Sequence, residues 1–256
     1  MKNEAGRKPF DIRDFYVVAA KLSDLGYLTR HRGLHVDTLS VFQPFIRLVK
    51  PVWSDSLPFN IGFPSRIPGK DDIAGFELVN YMYKGQAKGS DKTNSLWGAD
   101  ISQTGRFVGH IYIAESAIDA MSFYQLFRHK LALDQATFYS TGGYVTDRQL
   151  RNLFTHHPNA LVHTLFDNDL AGHLYDIRTA CMKENRSLLI RKDGDTVHFS
   201  TDSKSFSLPA ARVSLTNFRL ESGLRPDIRV HKAQGKDFNE MVMNRASGLA
   251  ASVRMR

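Results

Sequence analysis

The pattern of apolar and polar residues divides the chain into an irregular first part and a regular second part. From residue 106 onward, short apolar runs, which predict buried strands, alternate with longer segments whose apolar residues recur at helical spacing. The predicted strands are 107–114, 136–140, 160–166 and 227–231, and the predicted helices are 117–131, 146–154, 170–185 and 236–244. Strands that alternate with helices pair in parallel under helical layers. The predicted fold class is therefore α/β, with a mainly parallel four-stranded sheet flanked by helices.

The first part of the chain mixes helix and strand signals. The apolar residues of 11–25 recur at helical spacing and predict a helix that stops before Gly26. A second short helix follows, with Asp37 as its N-cap. The remaining predictions are strands at 59–64 and 73–85, a turn at 67–72 and an exposed loop at 84–95. This loop is rich in donors that suit phosphate, although a plain solvated loop explains the composition equally well.

These patterns predict two domains. A small α+β domain would cover residues 1–105, and the α/β domain would cover 106–256. The alternation breaks over 188–220, which predicts β structure with a hairpin at 192–195. We interpret 187–225 as a β-rich insertion in the second domain.

Charge and composition narrow the class of protein. The 256 residues contain 34 Lys and Arg against 26 Asp and Glu, a formal net charge of +8, which favours nucleic acid as a partner. No apolar run approaches the length of a membrane span, and the N-terminus lacks a secretion signal, so we expect a cytoplasmic protein with no membrane partner. Cys181 is the single cysteine, which excludes an internal disulfide and a Cys₄ zinc site.

Acidic residues follow the first predicted strand of the second domain, in the sequence AESAID. Glu115 lies at the turn into the helix, and Asp119 lies one helical turn later, on the same face. Both carboxylates could point into one space at the carboxyl end of the sheet, where open α/β sheets bind ligands. The alternative is that the two acids only favour the helix dipole.

A second acidic motif, FDNDLAG, ends the strand predicted at 160–166. Alternate residues of an extended chain project to one side, so Asp167 and Asp169 could present two carboxylates to one Mg²⁺ or Mn²⁺. Ala171 and Gly172 are small enough for the backbone to run close to a phosphate. The alternative is a turn in which aspartate caps the following helix.

Two further motifs are weaker alone. In GKDFNE, Lys236 could neutralise phosphate and Asp237 could bind metal through water, but a helix start explains both residues. In TGGY, Gly142 and Gly143 offer backbone N–H groups suited to an anion, unless they form only a tight turn. There is no P-loop, no GxGxxG motif and no HExxH motif.

The order strand–Glu, strand–Gly-Gly, strand–DxD, strand–KDxNE resembles the TOPRIM family over about residues 107–244. That family includes bacterial-type primases, topoisomerases and nucleases. The resemblance implies Mg²⁺ or Mn²⁺, and the single cysteine argues against zinc. The resemblance also implies that Glu115 is a general acid/base or metal ligand, and that Asp167 and Asp169 hold the metal. The residues that match the family's metal site are Glu115, Asp119, Asp167, Asp169 and Asp237. Ser116 departs from the glycine usual after the glutamate.

The first part resembles the small domain that precedes TOPRIM in primase-like proteins of bacterial mobile elements. FNIGFP, GFELVN and GSDKTNSLW carry this likeness. It implies primase-like nucleotidyl transfer in DNA replication or mobilisation, with single-stranded DNA, nucleoside triphosphates and a helicase or mobilisation protein as partners. Lys88, Lys92 and Lys236 would follow the nucleic-acid backbone. A nuclease on the same site and a non-catalytic nucleic-acid-binding accessory protein are the alternatives.

Overall fold

The computed structural model describes residues 8–102 and 107–254, with side chains to residue 247. The elements of the first half are β1 (Phe15–Ala19), α1 (Gly26–Arg30), α2 (Val36–Phe42), β2 (Arg47–Pro51), β3 (Asn60–Arg66), β4 (Ile73–Val79), β5 (Lys84–Gln86) and β6 (Leu96–Asp100). The elements of the second half are β7 (His110–Ala114), α3 (Ala117–Phe127), β8 (Ala136–Ser140), α4 (Asp147–His156), β9 (Leu161–Leu165), α5 (Leu170–Lys183), β10 (Leu188–Asp193), β11 (Thr196–Thr201), β12 (Ser205–Pro209), α6 (Leu215–Ser222), β13 (Ile228–Val230) and α7 (Phe238–Arg254).

The main sheet has a parallel part that agrees with the predicted fold class. Strands β8, β7, β9 and β13 are neighbours in that order, and each adjacent pair is parallel. Along β7, Ile111 and Ile113 pack on the α4–α5 face, whereas Tyr112 and Ala114 pack on the α3 face. Both faces are apolar because helices cover both, which is why this strand appears in the sequence as an unbroken apolar run.

The same sheet continues into the first part of the chain. β6 pairs with β8, β3 pairs with β6, and the strands on that side are antiparallel. The core cluster on the α3 face also draws on both parts, since Phe42 and Trp97 pack with Phe138. The division at residues 105 and 106 coincides with the change from antiparallel to parallel pairing, and as a boundary between two domains it stays a prediction.

The prediction of a helix over 11–25 is wrong. That segment contains β1 between two short 3₁₀ turns, and Gly26 starts α1 instead of ending a helix. The side chains of β1 alternate: Phe15 and Val17 pack against the sheet's small core cluster, whereas Tyr16 and Val18 are 47% and 46% exposed. A period of two fits a strand pairing with β2, and that pairing overrides the helical spacing of the apolar residues.

Three smaller corrections concern single elements. Asp37 lies in the first turn of α2, while His35 is the N-cap residue. β6 is a strand that was not predicted, because it directly follows the Gly- and Lys-rich segment predicted as a loop over 84–95. The region predicted as β-rich does form a separate three-stranded antiparallel sheet, β10–β11–β12, with its hairpin at Gly194. It then continues as α6, whose N-cap Ser214 accepts a hydrogen bond from the N–H of Asn217.

No helix in the described ranges is long and apolar enough to cross a membrane.

Candidate acidic site

The acidic residues of the three motifs meet at one edge of the parallel sheet. Glu115 follows β7, and Asp167 and Asp169 follow β9, which is the parallel neighbour of β7. Parallel neighbours end at the same edge, so their following loops lie side by side. The loop before α7 joins them, because the N–H of Asn168 donates to the carbonyl oxygen of Lys236 at 2.7 Å.

Glu115 faces the loop that carries Asp167 and Asp169, here called the DxD loop. Its Oε1 accepts a hydrogen bond from the N–H of Asp167 at 3.2 Å. Burial raises the pKa of Glu115 to about 7, and the nearby carboxylates of Asp167, Asp169 and Asp119 add to this rise. A carboxyl group whose pKa lies near neutrality can both donate and accept a proton at neutral pH.

Asp167 and Asp169 have different surroundings. Burial raises the pKa of Asp167, and the charges of Asp237 and Asp169 raise it further, while Lys236 opposes them. Asp169 is the N-cap of α5, since its Oδ1 accepts a hydrogen bond from the N–H of Gly172 at 2.9 Å. The capping alternative is therefore true of Asp169, and it leaves the other carboxylate oxygen available.

Asp119 and Asp237 lie at the starts of α3 and α7, next to the loops that carry Glu115 and the DxD aspartates. Asp119 is buried, its Oδ1 accepts the N–H of Asn239 at 3.2 Å, and its Oδ2 lies 2.5 Å from the Ser116 hydroxyl. Burial, followed by the charge of Asp237, raises the pKa of Asp119 to about 7. Asp237 accepts the N–H of Glu240 at 2.7 Å and so begins α7. Asp119 thus ties the start of α3 to the start of α7.

Ser116, which stands where a glycine is usual, is the N-cap of α3. Its hydroxyl oxygen accepts a hydrogen bond from the N–H of Asp119 at 3.2 Å. The serine therefore stabilises the helix that carries Asp119, and it leaves the turn at Glu115 intact.

Lys232 and Asp176 stabilise the backbone of the DxD loop, and the sequence patterns did not predict this role for either residue. The Lys232 ammonium donates to the carbonyl oxygens of Phe166 and Asp167 at 3.1 and 2.9 Å, and it lies 2.9 Å from Oδ2 of the fully buried Asp176. Lys232 is partly buried between Asp176 and the loop, so its hydrogen bonds fix the backbone at Asp167. The available signal was an aspartate within the apolar inner face of the helix predicted at 170–185.

A third missed residue, Glu77, comes from β4 in the first part of the chain. Its buried Oε2 accepts hydrogen bonds from the Ser140 hydroxyl at 3.0 Å and from the N–H of Ala117 at 3.4 Å. Burial raises the pKa of this carboxyl group. Glu77 connects the first part of the chain to the start of α3, and a lone glutamate inside the apolar strand IAGFELV was its signal.

The glycine turn supports Glu115. Gly142 and Gly143 have φ angles of 72° and 109°, a region that favours glycine. The N–H of Gly143 donates to the carbonyl oxygen of Glu115 at 2.9 Å, and the N–H of Gly142 donates to the Ser140 hydroxyl at 3.2 Å. Both groups are thus engaged within the protein, which favours the tight-turn alternative; a phosphate contact at this turn stays a prediction.

The predicted basic residues occupy two places. Lys236 lies near enough to the acids to lower the pKa of Asp167. Lys88 and Lys92 are exposed and line a neighbouring cavity of about 480 Å³, together with Lys8 and Tyr144. The Gln86 side chain, which also lines this cavity, donates to the carbonyl oxygen of Gly142 at 3.0 Å. The cavity therefore lies beside the glycine turn and close to Glu115.

The donor set suits a hard cation. It consists of carboxylates, and burial together with their mutual repulsion raises the pKa values of Glu115 and Asp167. Mg²⁺ and Mn²⁺ prefer oxygen ligands of this kind. In residues 8–102 and 107–254, however, no three His, Cys, Asp or Glu side chains form a ready group of metal ligands. A cation held here would have to complete its coordination with water, as Mg²⁺ commonly does.

Comparisons with known proteins agree with this arrangement. The Toprim-like family model matches residues 112–202, which include Glu115, Asp119, Asp167 and Asp169. A comparison with curated protein sequences finds no match.

Two solved structures share the fold. One is the crystal structure of the primase fragment of bacteriophage T7 primase-helicase protein, with a TM-score of 0.51, 15% identity, and coverage of 94% of this chain and 77% of that chain. The other is a chain in the structure of bacteriophage T7 lagging-strand DNA polymerase interacting with primase domains of two gp4 subunits bound to an RNA/DNA hybrid and dTTP. Its TM-score is 0.50 and its identity 15%, with coverage of 92% and 90%. Residues 112–202, with their acids at the carboxyl edge of a parallel sheet, are thus similar to the Toprim-like family, and the chain shares the fold of the T7 primase fragment.

Proposed function

We propose that this protein catalyses primase-like nucleotidyl transfer on nucleic acid, in DNA replication or in the mobilisation of a mobile element. The observation that carries the proposal is the contact between the Glu115 carboxylate and the DxD loop, with Asp167 and Asp169 close enough to raise the pKa of Glu115. The primase structures that share the fold support this choice over other reactions of the same site.

The acidic residues would divide the chemistry between them. Asp167 and Asp169 would hold Mg²⁺ or Mn²⁺, with Glu115 as a further ligand, and the bound cation would offset the charge of a phosphate. With its pKa near 7, Glu115 could accept the proton of an attacking 3′ hydroxyl at Oε2, since Oε1 accepts the Asp167 N–H. Asp119 and Asp237 would hold α3 and α7 in place and add negative charge behind the site.

Basic residues would bring the nucleic acid to this edge. Lys88 and Lys92 line the cavity beside the glycine turn, and Lys236 faces the acids, so a strand in that cavity would lead to Glu115. Single-stranded DNA and nucleoside triphosphates are the proposed substrates, and a helicase or a mobilisation protein is the proposed partner.

The test is a side-by-side assay of primer synthesis and strand cleavage. The protein is incubated with single-stranded DNA, ribonucleotides and Mg²⁺ or Mn²⁺, and products are separated by length. New short primers would support the proposal. Shortened strands would identify a nuclease instead, and DNA binding with neither product would identify an accessory protein.

A double variant tests the residues. Asp167→Asn with Asp169→Asn should abolish the product, because amides carry no charge for a cation, and the fold should persist because asparagine also caps helices well. Asp71→Asn with Asp72→Asn, at exposed positions in a distant turn, is the matched control and should keep full activity. Activity in the first variant equal to that of the control would overturn the assignment.

A further inference from the structure

Three histidines on neighbouring strands form a hydrogen-bonded row on the α3 face of the sheet. His110 begins β7, His163 lies in β9 and His231 follows β13. Nδ1 of His110 lies 3.1 Å from Nε2 of His163, and Nδ1 of His163 lies 2.9 Å from Nε2 of His231. Each contact needs one N–H and one lone pair, so both nitrogens of the central imidazole are occupied. We call these three residues the histidine row.

The histidine row is uncharged at neutral pH and forms an aromatic wall. Burial lowers the pKa of all three histidines, that of His163 to about 3, and the Arg229 guanidinium lowers each of them further. The His163 ring stacks on Tyr112 with centroids 4.3 Å apart, and it lies nearly parallel to the His231 ring, to which it is hydrogen-bonded edge to edge. Tyr112 and His163 are buried, so His110 and His231 present the accessible part of this neutral, polar wall to an aromatic ligand.

This wall is one side of an open cleft of about 640 Å³. Phe123, Phe127 and Phe238 also line the cleft, with the Phe123 ring packed edge to face with His231, and so do the cationic residues Lys130 and Arg229. Neither cation forms an ion pair within the described ranges, and both are exposed. Asp134 is the acid whose charge reaches the wall, at its His110 end. The cleft therefore combines aromatic surface with unneutralised positive charge, at a volume typical of small-molecule sites.

The cleft is separate from the acidic site. None of the five motif acids lines it. His110 lies at the amino end of β7 and Glu115 follows its carboxyl end, so about 16 Å of extended chain separates them. The one shared residue is Lys232, which lines the cleft and whose ammonium contacts the carbonyl oxygen of Asp167.

We propose that this cleft binds a mononucleotide, with its base against the accessible rings of His110 and His231 and its phosphate at Arg229 and Lys130. Every nucleobase has a flat face that can stack on an aromatic ring. A guanidinium binds phosphate through paired hydrogen bonds. Arg229 is the principal phosphate residue, because it is exposed, lines the cleft and lies in β13, the strand that leads to His231. The inference does not rest on the proposed catalytic function.

Calorimetric titration of the full chain with AMP tests this site. EDTA is present throughout, so that a cation-dependent site cannot contribute. Saturable AMP binding is expected, with adenosine and inorganic phosphate each binding at least about tenfold more weakly, since each has only half of the contacts. Arg229→Ala should weaken AMP binding at least about tenfold, whereas the Asp167→Asn, Asp169→Asn variant should bind as the parent does.

Matched controls make the outcome decisive. Arg229 is exposed, so its replacement should leave the fold intact, which circular dichroism checks. Arg225→Ala removes a nearby exposed arginine that does not line the cleft and should not change the affinity. The proposal is overturned if AMP does not bind at about 10 mM, if Arg229→Ala binds as well as Arg225→Ala, or if the Asp167→Asn, Asp169→Asn variant loses binding.

Discussion

At the scale of the residue, the acids of the site are similar in type and different in role. Glu115 and Asp119 both have a pKa raised to about 7, and burial is the largest cause for each. Asp119 is enclosed and is held by Ser116 and Asn239, so its carboxylate serves the packing of two helices. Glu115 faces the DxD loop and remains partly accessible, which makes it the acid available for proton transfer.

The raised pKa of Glu115 predicts how stability depends on pH in metal-free protein. The folded state holds the Glu115 proton up to about pH 7, whereas the unfolded state releases it near 4.5, so ionised Glu115 destabilises the fold as pH rises through that window. Glu115→Gln removes this cost and should increase the free energy of unfolding by about 1–2 kcal/mol at pH 8, a value reduced for partial exposure. At pH 4 the difference should vanish.

Urea unfolding in EDTA at both pH values measures this effect. Glu184→Gln, at an exposed position on the end of α5, is the control and should give no pH-dependent difference. If the difference in unfolding free energy between Glu115→Gln and the parent is the same at pH 4 and pH 8, then ionisation of Glu115 does not destabilise the fold.

At the scale of the element, α5 fixes the DxD loop through one glycine. A side-chain carbon at Gly172 would overlap the backbone carbonyl oxygen of Asp167. The small residue predicted to let the backbone approach a phosphate is therefore needed for the loop to pack on its own helix. Asp169 and Lys232 hold the same loop from either side, by capping α5 and by binding the Asp167 carbonyl.

Gly172→Ala should displace the loop from the helix, because the atoms that obstruct the new methyl group belong to the backbone. We expect a loss of about 1–3 kcal/mol of unfolding free energy, and a loss of activity of at least about tenfold, since small displacements of reacting groups are costly. Ala171→Gly at the adjacent exposed position should cost about 1 kcal/mol through helix propensity alone and keep its activity. Equal activity of the two variants would contradict the packing role of Gly172.

At the scale of the whole molecule, one continuous sheet joins the first part of the chain, which carries exposed lysines, to the parallel part, which carries the acidic site. Acids gather at the carboxyl ends of β7 and β9, while the chain as a whole carries a formal charge of +8. Glu77 of β4 and Gln86 of β5 reach the parallel half of the sheet, so the first part of the chain helps to build the site. The exposed Lys88 and Lys92 of that part line the cavity beside the glycine turn.

Binding of single-stranded DNA should weaken steeply as salt increases. Lys88→Ala with Lys92→Ala should reduce the slope of log K against log salt by about 1.4, because each lost phosphate contact removes about 0.7 for a single strand. Fluorescence anisotropy across a salt series measures the slope. Lys192→Ala, on the separate β10–β12 sheet, is the control and should leave it unchanged. A slope that is unchanged by the double variant would place the DNA elsewhere.

The sequence alone determined the parallel half of the fold and the grouping of its acids. β8 was predicted at its observed bounds, and β7, β9, α3, α4 and α5 were predicted within a few residues, because buried strands and covering helices impose strong periodicities. The positions of Glu115, Asp167 and Asp169 at strand ends followed from the same pattern, since parallel strands end at one edge.

Tertiary structure decided what depends on contacts between distant segments. β1 is a strand because it pairs with β2, although its apolar residues also fit a helix. Glu77, Asp176 and Lys232 have roles only through partners between 40 and 66 residues away, such as Ala117 for Glu77 and Phe166 for Lys232. The histidine row arises because three strands place one imidazole each on the same face. Local patterns record burial and backbone preference, whereas hydrogen bonds between strands depend on register, which no local pattern contains.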